Sequence, residues 1–195
     1  MIIKKIKNKF ISYSDISKNE LILVNKNNKL RKSYKPNLVL MDSNYSKEGF
    51  KMDIRAYKYF KKMVNGALKD GYKIYNVSSY RSYERQKEIY KNYKRNDKLA
   101  NLYSAKQGYS EHQTGLASDI ICSSFKDNFH LTKEYNWLIN NSYKYGFILR
   151  YPKGMEHITG YMFEPWHFRF VGLKAAYYIY KNNITFEEYY ELFVK

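Results

Sequence analysis

Two short stretches hold the side chains most suited to chemistry: SEHQTGLASD at 110–119 and EPWH at 164–167. Together they offer two imidazoles and several carboxylates, set among small or rigid residues. A metal ion that activates water takes three protein ligands from His, Asp, Glu or Cys and keeps a fourth position open. His112, Asp119 and His167 meet that count, and Glu164 is left as a base beside the open position. Gly108 and Gly115 permit tight turns on either side of His112. If 116–122 is extended, Ala117, Asp119 and Ile121 share one face. A carboxylate in so apolar a run is costly to bury unless a cation or partner meets it. Spacing alone leaves an alternative open, in which Asp119 caps a turn and His112 is a surface loop residue. Pro165 restricts Glu164 to extended geometry, so a bend or bulge must form before Glu164 and His167 can face one ion. His130, in a polar loop, and His157, near a turn, read as structural or exposed.

The elements that must position these groups follow from hydrophobic periodicity. From Asp53, a plausible N-cap, Ile54, Tyr57, Phe60, Met63, Val64, Ala67 and Leu68 form a helical stripe that Gly71 ends. Residues 72–78 alternate as a strand, Arg81 emerges directly after it, and Ser82 caps a second helix over SYERQKEIYKNYKRN. The loop SAKQGYSEHQTG leads into LASDIIC, a strongly strand-like segment. Thr132 caps a helix running to about Tyr145 and stopped by Gly146. FILRY and WHFRFVG, with a turn at 152–154, predict strands of a hairpin or small sheet. Two helices close the chain, the last opened by a Thr185/Glu188 capping box. Nearer the start, LILV at 21–24 and LVLMD at 38–42 read as short extended pieces, and residues 1–20 as a basic arm. Without a regular βαβ alternation the class is α+β, with one domain over 21–195.

Composition narrows the partners. Lys+Arg 35 against Asp+Glu 18 gives a formal charge of +17, a field that attracts polyanions. The basic residues are dispersed, and no zinc-finger, RNP-like or basic-zipper pattern appears, so no nucleic acid is expected; anionic cell-wall polymers remain eligible. Cys122 is the single cysteine, which excludes an intrachain disulfide and a multi-cysteine metal site; its apolar setting predicts a buried thiol. No stretch approaches the ~20 apolar residues of a membrane span. The N-terminal MIIKKIKNKFISYSD lacks the continuous apolar segment of a signal peptide.

Several strings closely resemble the VanY-type D-alanyl-D-alanine carboxypeptidases and the related L,D-carboxypeptidases: SSYRSYERQ at 78–86, GYSEHQTGLASDI at 108–120, YGFILRYPKG at 145–154 and ITGYMFEPWHFRFVG at 158–172. With LVNKNNKL and TFEEY, the likeness covers about residues 21–195. The resemblance implies a small α+β zinc peptidase of the Hedgehog/D,D-peptidase type, with a small antiparallel sheet and flanking helices. It implies one Zn2+ held by His112, Asp119 and His167, and Glu164 as catalytic base. It sets Arg81 and Gln86 where the substrate's carbonyl or terminal carboxylate is handled, and Ser110 where substrate is held. The implied substrate is a peptidoglycan stem peptide ending in D-alanine, with D,D-cleavage favoured over L,D-cleavage. A non-catalytic wall-binding module and an endopeptidase are the alternatives. The implied location is the cell wall or outer face, although no leader is visible and a cytoplasmic place stays open.

Overall fold

The computed structural model describes residues 20–46, 49–122 and 128–195. The basic arm expected over 1–20 lies outside them, apart from Glu20. Two short strands, β1 (Leu38–Leu40) and β2 (Lys51–Asp53), pair antiparallel ahead of the first long helix. That helix, α1 (Ile54–Lys69), starts where the Asp53 side chain accepts from the Arg55 amide, and Gly71 takes a positive φ of 87° just past its end. Its buried residues are Ala56, Tyr57, Phe60, Met63, Val64 and Ala67, the three- and four-residue spacing of one apolar face. Ile54 and Leu68 lie off that face, 47% and 61% exposed.

The main sheet has four strands in the order β3 (Ile74–Ser78), β4 (Ala117–Cys122), β6 (His167–Phe170), β5 (Phe147–Leu149), with every neighbour antiparallel. Strand alternation divides its two faces. Ile120, Phe147, Phe168 and Phe170 pack on Phe60 and Met63 of α1 in the main core. His167 and Asp119 therefore point to the opposite face. A slip of one residue would turn the phenylalanines out of the main core and the charged pair into it, so core packing fixes the register on which the site depends. Each fully buried phenylalanine contributes roughly 1.5–3 kcal/mol to holding it there.

Helix α2 (Tyr83–Asn96) is capped by Ser82, as its sequence predicts. Helix α3 (Lys133–Asn141) is capped by Thr132, but it tightens into a 3-10 turn over Ser142–Tyr145 before Gly146. Strands β5 and β6 pair without forming a tight hairpin, because residues 150–166, including a short helix α4 (Glu156–Thr159), intervene. Helices α5 (Leu173–Asn182) and α6 (Phe186–Phe193) build a second cluster with Leu21, Ile148 and Val171, and the Thr185/Glu188 capping box is present.

The expected strand at 21–24 does not form. Leu21 and Val24 are buried, but the Arg169 guanidinium donates to the carbonyls of Glu20 and Ile22 at 3.0 Å each. A side chain thus satisfies backbone that a neighbouring strand would otherwise have to pair.

Candidate metal centre and cleft

The loop after β3 and the turn before β4 place the first imidazole. His112 sits in a 3-10 turn, Glu111–Thr114, which Gly115 ends at φ 71°. A Cβ on Gly115 would come within 3.0 Å of the Asp53 backbone nitrogen, so glycine meets both the conformational and the steric demand. The His112 ring is buried, and its Nδ1 lies 2.6 Å from the Ser79 carbonyl oxygen. Donation from Nδ1 to that oxygen leaves Nε2 with its lone pair facing Asp119. Strand β4 supplies Asp119 and strand β6 supplies His167, and the two are direct register partners. Side chains opposite one another in an antiparallel pair rise on the same face, which brings them together.

Two of the three separations match the edge of a tetrahedral site. His112 Nε2 lies 3.4 Å and His167 Nδ1 3.3 Å from the same oxygen, Asp119 Oδ1. Two donors about 2.0–2.1 Å from a tetrahedral zinc ion would themselves be about 3.3–3.4 Å apart. One ligand atom from each of the three residues falls within a 4.8 Å group. Both His112 Nε2 and Asp119 Oδ1 are buried without a hydrogen-bond partner, a costly arrangement that a cation would relieve. These three residues could therefore hold a metal ion.

Glu164 joins them through the bend that EPWH requires. The His167 amide donates to the Glu164 carbonyl at 3.1 Å, closing a turn over Pro165 and Trp166. The Glu164 carboxylate then lies 3.4 Å from His167 Nδ1. Arg81 reaches over from the other side, with Nη2 3.9 Å from Asp119 Oδ2 and Nη1 donating to Gln86 Oε1 at 2.9 Å. Gln86 is 1% exposed, and its Nε2 donates to the Ala105 carbonyl at 2.6 Å. Both ends of that amide are thus committed within the protein, one of them to Arg81. Ser110 is buried in the cleft wall. All seven candidate site residues line one cleft of about 580 Å³, together with Tyr93, Tyr151, Tyr161 and Trp166. His130 and His157 are exposed, and Cys122 is buried, as expected.

Burial and neighbouring charges shift each of these groups in its own direction. Burial, with Arg81 nearby, lowers the His112 pKa to about 4 against the pull of Asp119, so the ring is neutral and free to ligate. Burial opposes charge on His167 too, but Asp119, Glu111 and Glu164 raise its pKa well above the ordinary value. Burial alone would raise the Asp119 carboxyl; His112 and His167 hold it well below its usual range. Glu164 moves the other way, pushed up mainly by burial. A buried carboxyl with a raised pKa is the tuning that general bases and acids use near neutral pH.

One buried participant escaped sequence reasoning. Glu111, beside His112 in the chain, is fully buried, with Oε2 3.5 Å from His167 Nε2. Its Oε1 accepts from Arg150 Nε at 2.8 Å and Arg169 Nη1 at 3.0 Å, and Arg150 also grips Glu187 of α6 with both terminal nitrogens. Burial raises the Glu111 carboxyl, but the two guanidiniums hold it far below its usual range. The signal was present: arginines in the apolar strings FILRY and HFRF cannot be buried without an acid to meet them.

Two imidazoles, an aspartate and a neighbouring glutamate in an open cleft have the make-up of a mononuclear metallopeptidase centre. Comparison with known proteins defines the family. The profile of VanY, D-alanyl-D-alanine carboxypeptidase, matches residues 41–173. The chain belongs to the VanY family. It is 46% identical to the Bacillus subtilis protein YodJ over 89% of this chain and 67% of that one. It is 37% identical to a D-alanyl-D-alanine carboxypeptidase of Enterococcus faecalis over 87% of this chain and 65% of that one. The chain thus spans about two-thirds of the length of these relatives. Among solved structures it resembles the LD-carboxypeptidase LdcB at 40% identity and a TM-score of 0.83, covering 96% of this chain and 95% of that one. It also resembles VanYB in complex with D-alanine-D-alanine, at 36% identity and a TM-score of 0.78, covering 88% and 97%. A VanY D,D-pentapeptidase of this fold was solved in complex with Zn(II).

Proposed function

We propose that this protein is a zinc-dependent carboxypeptidase that removes the terminal D-alanine from peptidoglycan stem peptides. The observation that carries the reading is the approach of His112 Nε2 and His167 Nδ1 to one Asp119 oxygen, at spacings a tetrahedral ion imposes. Family membership and the D-alanine-D-alanine bound by VanYB supply the substrate class. His112, Asp119 and His167 would hold the zinc. When bound, it supplies Lewis acidity that makes water a nucleophile near neutral pH and polarises the scissile carbonyl. Glu164 takes the proton from the attacking water and passes it to the leaving amine. The Arg81 guanidinium faces the charge that grows on the carbonyl oxygen, or the substrate's terminal carboxylate. Gln86 holds Arg81 in that orientation, and Ser110 contributes to the wall against which the peptide lies.

A second reading is L,D-cleavage of tetrapeptide stems, favoured by the likeness to LdcB. The two readings share the leaving D-alanine and differ in the configuration of the residue before it. Incubating zinc-loaded protein with muramyl penta- and tetrapeptides, followed by mass analysis, separates them. Loss of one alanine from the pentapeptide supports D,D-cleavage and loss from the tetrapeptide supports L,D-cleavage. Intact peptides in both tubes would overturn the carboxypeptidase reading. The site of action is then the cell wall, where a net charge of +17 favours contact with anionic polymers. Among the described residues, no helix is long and apolar enough to cross a membrane.

A further inference from the structure

A second cavity of about 370 Å³ adjoins the cleft, and Ser104, Ala105 and Tyr161 line both. Its remaining walls include Lys26, Lys106 and Tyr109, and no acidic side chain lines it among the described residues. Lys26 is held in place although its tip is exposed. Its loop is pinned by Asn25, whose buried side chain accepts from the amides of Asn27 and Asn28 at 3.0 Å each and donates to Glu187 Oε1 at 3.1 Å. The aliphatic stem of Lys26 lies across Gly160, where an added Cβ would come within 3.2 Å of Cδ. Its ammonium rests 4.7 Å from the centre of the Tyr161 ring, the aromatic wall common to both chambers. The Leu30 amide donates to the Gly108 carbonyl at 2.8 Å, stitching the Lys26 side of the cavity to the Lys106 side. Partial burial lowers the Lys26 pKa, so this ammonium gains by meeting an anion.

The inference rests on the carboxypeptidase reading. When a single terminal residue leaves, all the rest of the substrate lies on the acyl side, and the adjoining cavity offers it room beyond the cleft. We propose that this cavity is an anion subsite of the active centre, in which Lys26 and Lys106 bind a free carboxylate on the acyl side of the scissile bond. In a stem peptide that carboxylate comes from the α-carboxyl of a γ-linked D-glutamyl residue or from the side chain of a diaminopimelyl residue.

The test uses zinc-loaded Glu164→Gln protein, which binds without turnover, and pentapeptides carrying each of the two groups as carboxylate or carboxamide. Affinities are measured by titration calorimetry in this protein and with added Lys26→Met, or Lys26→Met and Lys106→Met. Lys69→Met, at an exposed position outside the cavity, serves as the charge-matched control for Lys26→Met. Amidation of one group is expected to weaken binding about two- to fivefold, the upper part of the range for ion pairs with exposed lysines. The double lysine variant should abolish that difference, and Lys69→Met should leave it intact. Whichever amidation matters names the source of the carboxylate. Equal affinities for all peptides, or equal weakening of carboxylate and carboxamide peptides by the lysine variants, would overturn the subsite. Hydrolysis of the same peptides by the unaltered protein is followed in parallel. Pentapeptides that bind with the expected difference but are never cleaved would sink the D,D-carboxypeptidase reading and leave the subsite standing; absence of any binding would sink both.

Discussion

Asp119 and His167 face one another across β4 and β6 as register partners, with Oδ1 and Nδ1 3.3 Å apart. Their meeting is a property of strand register rather than of either side chain. The same alternation that turns Phe168 and Phe170 into the core turns His167 out toward Asp119. Because His112 Nε2 approaches the same oxygen, Asp119 is the centre of the donor set. Asp119→Ala should weaken zinc binding by more than the ~10–100-fold typical of losing an outer partner of a metal ligand. Competition against a chromogenic chelator measures this. Zinc should also raise the melting temperature of the unaltered protein, by about 2.7 kcal/mol of stability at a hundredfold excess over Kd, and do so far less in the variant. Undiminished zinc affinity would remove Asp119 from the ligand set.

Glu164 separates metal binding from catalysis. Its carboxylate stands beside His167 Nδ1 but outside the His-Asp-His group. Glu164→Gln is nearly isosteric and should keep one zinc per chain while kcat falls about 10²–10⁴-fold, the contribution of a positioned general base. Metal content by atomic emission, read beside peptide hydrolysis, checks both halves. Near-normal turnover in a zinc-replete variant would mean that another group accepts the proton.

Arg81 tests geometry against charge. Its Nη1 is committed to Gln86 Oε1 at 2.9 Å, which orients the planar fork toward the cleft. Arg81→Lys keeps the charge but loses the fork, and lysine has no second nitrogen to satisfy Gln86. The expected loss is about 10²–10³-fold in kcat with zinc affinity unchanged, comparable to removing one oxyanion donor. A variant that matched the unaltered rate would show that charge alone suffices there.

Much of the fold was legible because its signals are local. The caps at Asp53, Ser82, Thr132 and Thr185 and the stops at Gly71 and Gly146 lie beside the helices they define. The four groups around the candidate metal position could be named from residue type and flanking glycine or proline. The bend needed at Pro165 was deduced and is present. Long-range pairing was illegible. Nothing local to LILV shows that Arg169, far along the chain, would satisfy its carbonyls and leave it without a strand partner. Glu111 was hidden for a related reason, since a glutamate in a polar loop ordinarily faces water. Only the two arginines that meet it in space turn it into a core residue.

Glu111 yields the most demanding prediction, because it joins the candidate metal centre to the core. Its Oε2 faces His167 Nε2 at 3.5 Å, on the side of the ring away from Asp119, while Oε1 takes both arginines. A carboxylate in that position fixes the orientation of a ligating histidine and raises its basicity. Glu111→Gln keeps the shape and removes the charge, so His167 loses one of its anionic neighbours and the two buried guanidiniums lose the carboxylate they share. Breaking a buried pair from one side costs about 3–5 kcal/mol, and Arg150 retains Glu187 as a partial substitute. Denaturant unfolding of metal-free protein should show that loss. In the folded fraction, zinc affinity should fall about 10–100-fold. A purely structural glutamate would move the first number and leave the second alone. Arg150→Lys supplies the complementary case: it disturbs the arginine cluster but leaves the Glu111 charge beside His167, so stability should drop while zinc affinity holds. Equal zinc affinity in the unaltered protein and Glu111→Gln would confine Glu111 to the core.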